Sequence, residues 1–297
     1  MSDHIRLKKG LDLPVAGAAL CEVTKKVAPG LVAVKPSDFR GLVPRVLVKE
    51  GDAVLAGTPL FADKNSADMV FCSPVSGTVE SVVRGEKRKL LAVRVKADGR
   101  DEAVRIDVPK IGSLDKKSAT ELLLKSGLWP CIKQRPYGCI ADPAATPKAI
   151  FISGMNTAPL GADYDFILKG EFDAVQAGVK LLGCLTSGGV HVSVSATNPV
   201  SEFRKLDGVI FHQFEGPHPA GNVGVQINHI SPINKGEVVW TVGIDLVAAI
   251  GRLFTKGVYD VHRVIAVAGP SVKNPSYVEV PSGVAMKDLE EYFDTEK

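Results

Sequence analysis

The chain has 297 residues, 45% of them hydrophobic, which suits two or three globular domains with cores of their own. Its formal net charge of +3, without a dense basic run, argues against a nucleic-acid-binding protein. The most apolar run, 238–254, contains Asp245 and Arg252, so we expect no transmembrane helix. The charged N-terminus lacks the apolar core of a signal peptide.

The cysteines indicate a reducing compartment. Their number is odd, and their scattered positions match no zinc or iron–sulfur spacing, so we expect free thiols in the cytosol and no metal site. They are Cys21, Cys72, Cys131, Cys139 and Cys184.

The first third of the chain predicts an irregular segment followed by a small β domain. Residues 1–35 are punctuated by glycine and proline, and we expect them to be irregular apart from a short strand at 31–34. Residues 36–100 are expected to form a barrel, because short β-rich runs alternate with glycine turns there. A charged connector at 98–102 indicates the domain boundary.

Two related motifs lie in this β-rich region. The first runs over 48–60 (VKEGDAVLAGTPL) and the second over 73–79 (SPVSGTV). Together they resemble the halves of a biotinyl/lipoyl-type carrier domain, a barrel-sandwich hybrid, which implies a modified lysine near 65–67. Lys64 lies beside that tip without the flanking residues of a biotin or lipoyl site. We expect an unmodified barrel that docks partners, with a covalent carrier modified at Lys64 as the alternative.

Residues 101–260 alternate strands and helices, which predicts a Rossmann-like α/β domain with a largely parallel sheet. A capping box of Ser118 and Glu121 is expected to begin the first helix, and a long loop is expected over 130–148. Further helices are predicted at 171–182 and 245–254. Buried strands are predicted at 149–152, 189–196, 208–212 and 237–242.

The α/β domain offers two candidate sites. The turn after its first strand, 153–159, matches neither a dinucleotide nor a P-loop motif. We expect the segment 211–222 to be a loop after a strand, where His212, Phe214 and His218 could hold a planar quinone or flavin ring. Arg135 and Tyr137 in the long loop form the second candidate.

The chain-wide motifs resemble one family, the alpha subunit of the bacterial Na+-translocating NADH:quinone oxidoreductase (Na+-NQR). The residues that carry the resemblance are IRLKKGLDLPVAG (5–17), GEKR (85–88), SGLW (126–129), GPHPAG (216–221), IGRLF (250–254) and VIAVAGP (264–270). The resemblance covers the chain throughout but only about two-thirds of a typical member, which implies a C-terminal truncation. The layout is similar to the RnfC subunit of the Rnf complex and to the NADH-binding subunit of complex I.

This resemblance implies a multidomain chain of α+β and α/β class, in which 261–297 begins a β-grasp (SLBB-like) domain. It further implies a peripheral subunit on the cytoplasmic side of the inner membrane, with a scaffold role. NADH, the flavins (FAD, FMN and riboflavin) and the iron–sulfur centres belong to partner subunits of the complex, and no cofactor is expected on this chain. Ubiquinone is its candidate ligand, with Arg135, Tyr137, His212, Phe214 and His218 as the candidate residues. The open alternative is an autonomous flavin- or nucleotide-binding oxidoreductase.

Overall fold

The computed structural model describes residues 3–293, so residues 1, 2 and 294–297, which begin and end the predicted terminal segments, lie outside it. Strands and helices alternate along this range. The strands are β1 (Asp3–Arg6), β2 (Val23–Lys26), β3 (Leu31–Val34), β4 (Pro44–Val46), β5 (Ala53–Val54), β6 (Pro59–Asp63), β7 (Val70–Cys72), β8 (Gly77–Arg84), β9 (Leu90–Ala97), β10 (Lys133–Arg135), β11 (Cys139–Ile140), β12 (Ile150–Ser153), β13 (Val190–Ser195), β14 (Ile210–Glu215), β15 (Val239–Thr241), β16 (His262–Val267) and β17 (Ser276–Pro281). The α-helices are α1 (Lys116–Lys125), α2 (Tyr164–Ile167), α3 (Phe172–Gly183), α4 (Val223–Ile230) and α5 (Ile244–Lys256).

The β-rich region forms two small sheets around one core. One sheet has the order β3-β9-β8-β5 and the other β4-β6-β7. The two sequence motifs meet through reciprocal backbone bonds, since the N–H of Gly51 donates to Val79 and the N–H of Val79 donates to Asp52. Gly77 adopts φ +154°, and a Cβ there would lie 2.0 Å from the carbonyl oxygen of Lys96, so glycine is required at this crossing.

The α/β region is built on a seven-stranded sheet of order β1-β14-β13-β12-β15-β10-β11. Strands β1, β14, β13, β12 and β15 run parallel, and β10 and β11 complete the edge in antiparallel fashion. The chain moves outwards from β12 to β14 and then returns to β15 on the other side of β12. The strand order therefore reverses between β12 and β15, the position where α/β sheets commonly open a crevice.

Helices cover both faces of this sheet. Phe151 of β12 contacts Ile227 of α4 on one face. On the other face α3 and α5 pack closely, because Gly178 and Gly251 bring the two backbones together. A Cβ at Gly251 would lie 1.7 Å from the carbonyl oxygen of Ala174, so a side chain there is excluded.

A third sheet, of order β16-β17-β2, closes the fold around Val27, Val267, Val278, Val280 and Leu289. Its edge strand β2 comes from the N-terminal segment. The same segment supplies β1 to the large sheet and β3 to the barrel. The prediction of an irregular segment over 1–35 is therefore wrong in its described part, since the backbone groups of three stretches are satisfied by separate sheets.

Three local predictions are also wrong. Helix α1 begins at Lys116 with Asp115 as its N-cap and Ser118 as the reciprocal partner, so Ser118 and Glu121 do not form the cap. The predicted loop over 130–148 contains the hairpin β10–β11, which the sheet edge recruits. Strand β14 continues to Glu215, so His212 and Phe214 lie in a strand and not in a loop.

No helix within residues 3–293 combines the length and the apolar character needed to cross a membrane.

Candidate functional site

An apolar cavity of about 330 Å³ lies where the barrel, the α/β region and the third sheet meet. Pockets of this size and character are typical of small-molecule sites. Its walls are contributed by segments distant in sequence, so the site exists only in the folded chain. The lining includes Phe39, Phe71, Cys72, Pro74, Pro130, Cys131, Leu246, Tyr259 and Val261.

Aromatic rings form the barrel side of the apolar cavity. Phe39 meets Phe71 edge to face with ring centroids 4.6 Å apart, and Phe71 stacks on Phe61 at 4.9 Å. Phe61 and Phe71 are buried in the barrel core, which holds the wall rigid. A flat apolar ring would therefore meet a preformed aromatic surface.

Tyr259 supplies a hydrogen-bond donor inside the apolar cavity. Within residues 3–293 its hydroxyl has no hydrogen-bond partner. Burial, with the neighbouring Cys72 and Cys131 thiols, raises the pKa of Tyr259 well above its usual value of 10. The phenol therefore stays protonated at neutral pH and can donate one hydrogen bond to a ligand.

The two thiols keep the interior of the apolar cavity neutral. Burial raises the pKa of Cys72 to about 12. Burial, with the nearby charge of Asp245, also raises the pKa of Cys131 to about 12. Neither thiol ionises near neutral pH, so we expect both to behave as small apolar walls and not as nucleophiles.

Charged side chains stand at the rim of the apolar cavity. Lys35 pairs with Asp38 at 3.6 Å, and Arg263 pairs with Asp245. Lys133 is exposed and has no ion-pair partner among residues 3–293. The apolar cavity thus has a neutral interior and one uncompensated cation at its edge.

A second, charged cavity of about 410 Å³ shares Tyr259, Pro74 and Arg263 with the first. Arg252 of α5, only 7% exposed, bonds to Glu171 at 3.2 Å and to the carbonyl oxygens of residues 260 and 262. Burial would raise the pKa of Asp260, but the hydrogen bond from His262 and the charge of Arg252 outweigh it. They hold the pKa of Asp260 well below its usual value. This network is saturated with internal pairs and acts as a clasp between structural units.

The histidine and phenylalanine predicted on the 211–222 segment occupy β14. His212 is buried, and its Nε2 lies 2.8 Å from Nδ1 of His191. The rings of Phe151, His191 and His212 form a stacked column across neighbouring strands. Burial and the neighbouring His212 lower the pKa of His191. Phe214 is fully buried in a small core cluster, so it presents no free ring face.

The other predicted residues lie at separate turns. Nδ1 of His218 is 3.2 Å from the Thr157 hydroxyl, beside the turn that follows β12. Arg135 ends β10, and its guanidinium lies 3.1 Å from where a Cβ of Gly224 would sit at the start of α4. Tyr137, 72% exposed, follows it in the β10–β11 turn.

The structure therefore pairs Arg135 with Tyr137 on one hairpin and His212 with Phe214 on one strand. None of these residues, nor His218, lines either cavity. Lys64 is exposed in the turn between β6 and β7. Among residues 3–293 no cluster of three or more histidine, cysteine or carboxylate side chains could hold a metal.

The sequence predictions missed the apolar cavity altogether. Phe39, Phe71 and Tyr259 belong to three segments that no local pattern connects. A weak signal existed in Tyr259, since a tyrosine so soon after the glycine that ends α5 seldom serves a helix face.

Two family descriptions match the chain. The NqrA N-terminal barrel-sandwich hybrid domain matches residues 5–98, and the NqrA second alpha/beta domain matches residues 114–259. Together they span well over half of the chain. They agree with the barrel and the seven-stranded sheet described above.

Curated relatives are named as the NqrA subunit of the Na(+)-translocating NADH-quinone reductase. The Yersinia pestis bv. Antiqua (strain Angola) protein is 38% identical over 288 residues, and the Serratia proteamaculans (strain 568) protein is 36% identical over 289. In both cases the match covers 96% of this chain and 64% of the relative. The chain thus spans just under two-thirds of the length of these relatives.

Among solved structures, an NAD+-reducing NiFe hydrogenase in the H2-reduced state covers 49% of this chain and 32% of its own, with 13% identity. The TM-score is 0.36, too low to carry an argument on fold or function. The two matched domains and the relatives at 36–38% identity decide the family. The chain belongs to the NqrA family, which the Na+-translocating NADH-quinone reductases contain as one of their subunits.

Proposed function

We propose that this chain works as a peripheral subunit of a Na+-translocating NADH:quinone reductase, which couples electron transfer from NADH to ubiquinone to Na+ export. The observation that carries the proposal is the 38% identity over 96% of the chain to relatives named as the NqrA subunit. In this proposal the chain lies on the cytoplasmic side of the membrane. Partner subunits supply the NADH site, the flavins and the iron–sulfur centres.

The subunit's own contribution is proposed to be a scaffold that holds a quinone. The apolar cavity suits a quinone ring, because Phe39 and Phe71 offer apolar faces and Tyr259 offers a protonated donor for a carbonyl oxygen. The cavity is a better place for the ring than the predicted set at Arg135 and His212, which shares no cavity. The chain's part is to bind and orient the ring and to keep bulk water from it.

Two finer assignments of fold are part of the proposal. The reversal of strand order between β12 and β15 supports a Rossmann-like interpretation of the α/β region. The β16–β17 hairpin with β2 supports an SLBB-like β-grasp beginning at residue 261. The domain boundaries at 36, 101 and 261 remain proposals as well.

Membership in the complex is tested by native purification from membranes of the source organism. We expect the chain to copurify with flavin-bearing membrane subunits, identified by mass spectrometry. Recovery of the chain only in the soluble fraction, with no such subunits, would overturn the proposal. The intact mass of the same preparation tests the carrier alternative, since a biotinyl or lipoyl group on Lys64 would add its own mass.

The quinone role is tested by photo-crosslinking a quinone analogue to the full chain. The apolar cavity predicts labels in 33–39, 71–74 and 127–133. Labels concentrated at 135–137 and 212–218 would instead support the sequence-predicted residues. Uniform labelling, not displaced by unmodified quinone, would remove the binding role and leave the scaffold role standing.

A further inference from the structure

The long hairpin β8–β9 of the barrel carries an unusual concentration of basic side chains. Its 21 residues, 77–97, contain six cations and only two acids, Glu80 and Glu86, which gives a net charge of +4. The whole chain carries +3, so the remainder of the chain is slightly acidic. The cations are Arg84, Lys87, Arg88, Lys89, Arg94 and Lys96.

These cations are free of internal ion pairs. All six are exposed, and none forms a salt bridge within residues 3–293. Elsewhere in the fold, cations such as Arg252, Lys148 and Lys256 have carboxylate partners. The hairpin thus presents a positive field that the fold itself does not neutralise.

The hairpin also extends beyond its neighbours. Strand β3 pairs with β9 only over 93–96, and β5 pairs with β8 only at 77 and 78. From Ser81 to Ala92 the two strands pair chiefly with each other, as a ribbon. Leu90 on its inner face is buried, whereas Leu91 is 44% exposed on the outer side.

The tip of the ribbon is held in a costly conformation. Lys87 and Arg88 both adopt positive φ, +52° and +59°, which disfavours L-residues with long side chains. Lys87, Arg88 and Lys89 lie together at the turn, and the Arg84 guanidinium donates to the carbonyl oxygen of Arg88 at 3.2 Å. A convex tip of this kind offers no groove for an extended peptide, whereas it can lie against a flat surface.

We propose that the β8–β9 hairpin docks this chain onto an anionic lipid surface. The basic tip would contact lipid phosphates, and Leu91 would lie at the edge of the headgroup layer. This inference is independent of membership in the reductase, because it concerns the chain's own affinity for lipid and needs no partner subunit.

Sedimentation of the full chain with vesicles tests this inference. We expect binding to mixed phosphatidylcholine–phosphatidylglycerol vesicles, weak or no binding to phosphatidylcholine alone, and release by salt. Each cation near the surface contributes roughly fivefold in affinity. The variant Lys87→Asn/Arg88→Asn/Lys89→Ser should therefore bind about 100-fold more weakly, and asparagine tolerates the positive φ at the tip.

A matched control removes three charges elsewhere. Lys117→Gln/Lys125→Gln/Lys180→Gln alters exposed lysines on α1 and α3 and should change the vesicle affinity less than about twofold. Equal loss in both variants, or equal binding to both kinds of vesicle, would overturn the proposal. Binding of the chain to poly-glutamate but not to anionic vesicles would also overturn it, in favour of an acidic protein partner.

Discussion

Nε of Arg252 lies 3.4 Å from the Asp260 carboxylate, and this pair joins α5 to the segment that enters the third sheet. Lys256 and His262 reach the same carboxylate at 2.7 and 3.2 Å. Because Arg252 is nearly buried, its charge depends on these partners for compensation. The pair therefore fixes the wall between the charged cavity and the apolar cavity.

Asp260→Asn should lower the free energy of unfolding by roughly 3 kcal/mol, because it leaves a buried guanidinium without its main counterion. Urea denaturation followed by circular dichroism measures the change. Asp68→Asn, in an exposed turn, is the control and should stay within about 0.5 kcal/mol of the parent chain. Equal stability of the two variants would show that Glu171 and the carbonyl groups alone hold Arg252.

The same carboxylate predicts an acid limb of the stability curve. The folded pKa of Asp260 lies below its usual value of 3.8, so its stabilisation is present above that pH. The contribution is lost as the pH falls below about 4, because the unfolded chain then binds the proton first. Urea midpoints measured down this range should fall less steeply for Asp260→Asn than for the parent chain. Parallel curves would contradict this assignment.

His191 predicts a second pH effect at milder acidity. Its pKa is lowered from 6.5 in the fold, so the unfolded chain binds the proton more readily. Stability should therefore decline as the pH falls through about 6.5, and His191→Gln should flatten the decline. Thermal melts at several pH values between about 7 and 5 measure it. An unchanged slope in the variant would exclude His191 as its source.

Close helix packing gives a prediction with an internal control. Gly251→Ala places a methyl against the Ala174 carbonyl oxygen, so we expect at least about 3 kcal/mol of destabilisation. Gly183→Ala, in the last turn of α3, meets no atom within 4 Å and should be neutral or slightly stabilising. Equal melting temperatures would mean that α3 and α5 separate without cost.

Local chemistry in the sequence was sufficient for the interior elements. The glycine turns around Gly51 and Gly77 and the 3.6-residue period of α3 are local signals, and they predicted the corresponding elements closely. Strands β1 and β10 were missed because their residues are largely polar. They become strands only because the exposed edge of a sheet offers unpaired backbone groups.

The candidate site was less accessible to sequence reasoning. A polar and aromatic cluster such as 211–222 attracts attention in a sequence, yet burial of Phe214 and the strand geometry of His212 use those side chains structurally. The apolar cavity instead combines residues that are unremarkable one by one. Its defining property, a hydroxyl that faces an apolar cavity without a partner, can be recognised only in three dimensions.

Tyr259→Phe tests that property directly. Because the hydroxyl has no partner within residues 3–293, its removal should leave the free energy of unfolding unchanged or slightly raised. Binding of a short-chain ubiquinone analogue should weaken roughly five- to tenfold, the value of one lost hydrogen bond. Calorimetric titration of the full chain measures the dissociation constant.

Tyr137→Phe is the matched control for this substitution, because it removes a hydroxyl from the exposed β10–β11 turn. If the quinone ring occupies the apolar cavity, the control should bind the analogue like the parent chain. A loss of affinity in Tyr137→Phe, with none in Tyr259→Phe, would place the ring at the Arg135 hairpin. The phenol of Tyr259 would then require another explanation, because a donor that is taken out of water without a partner costs stability that the fold does not recover elsewhere.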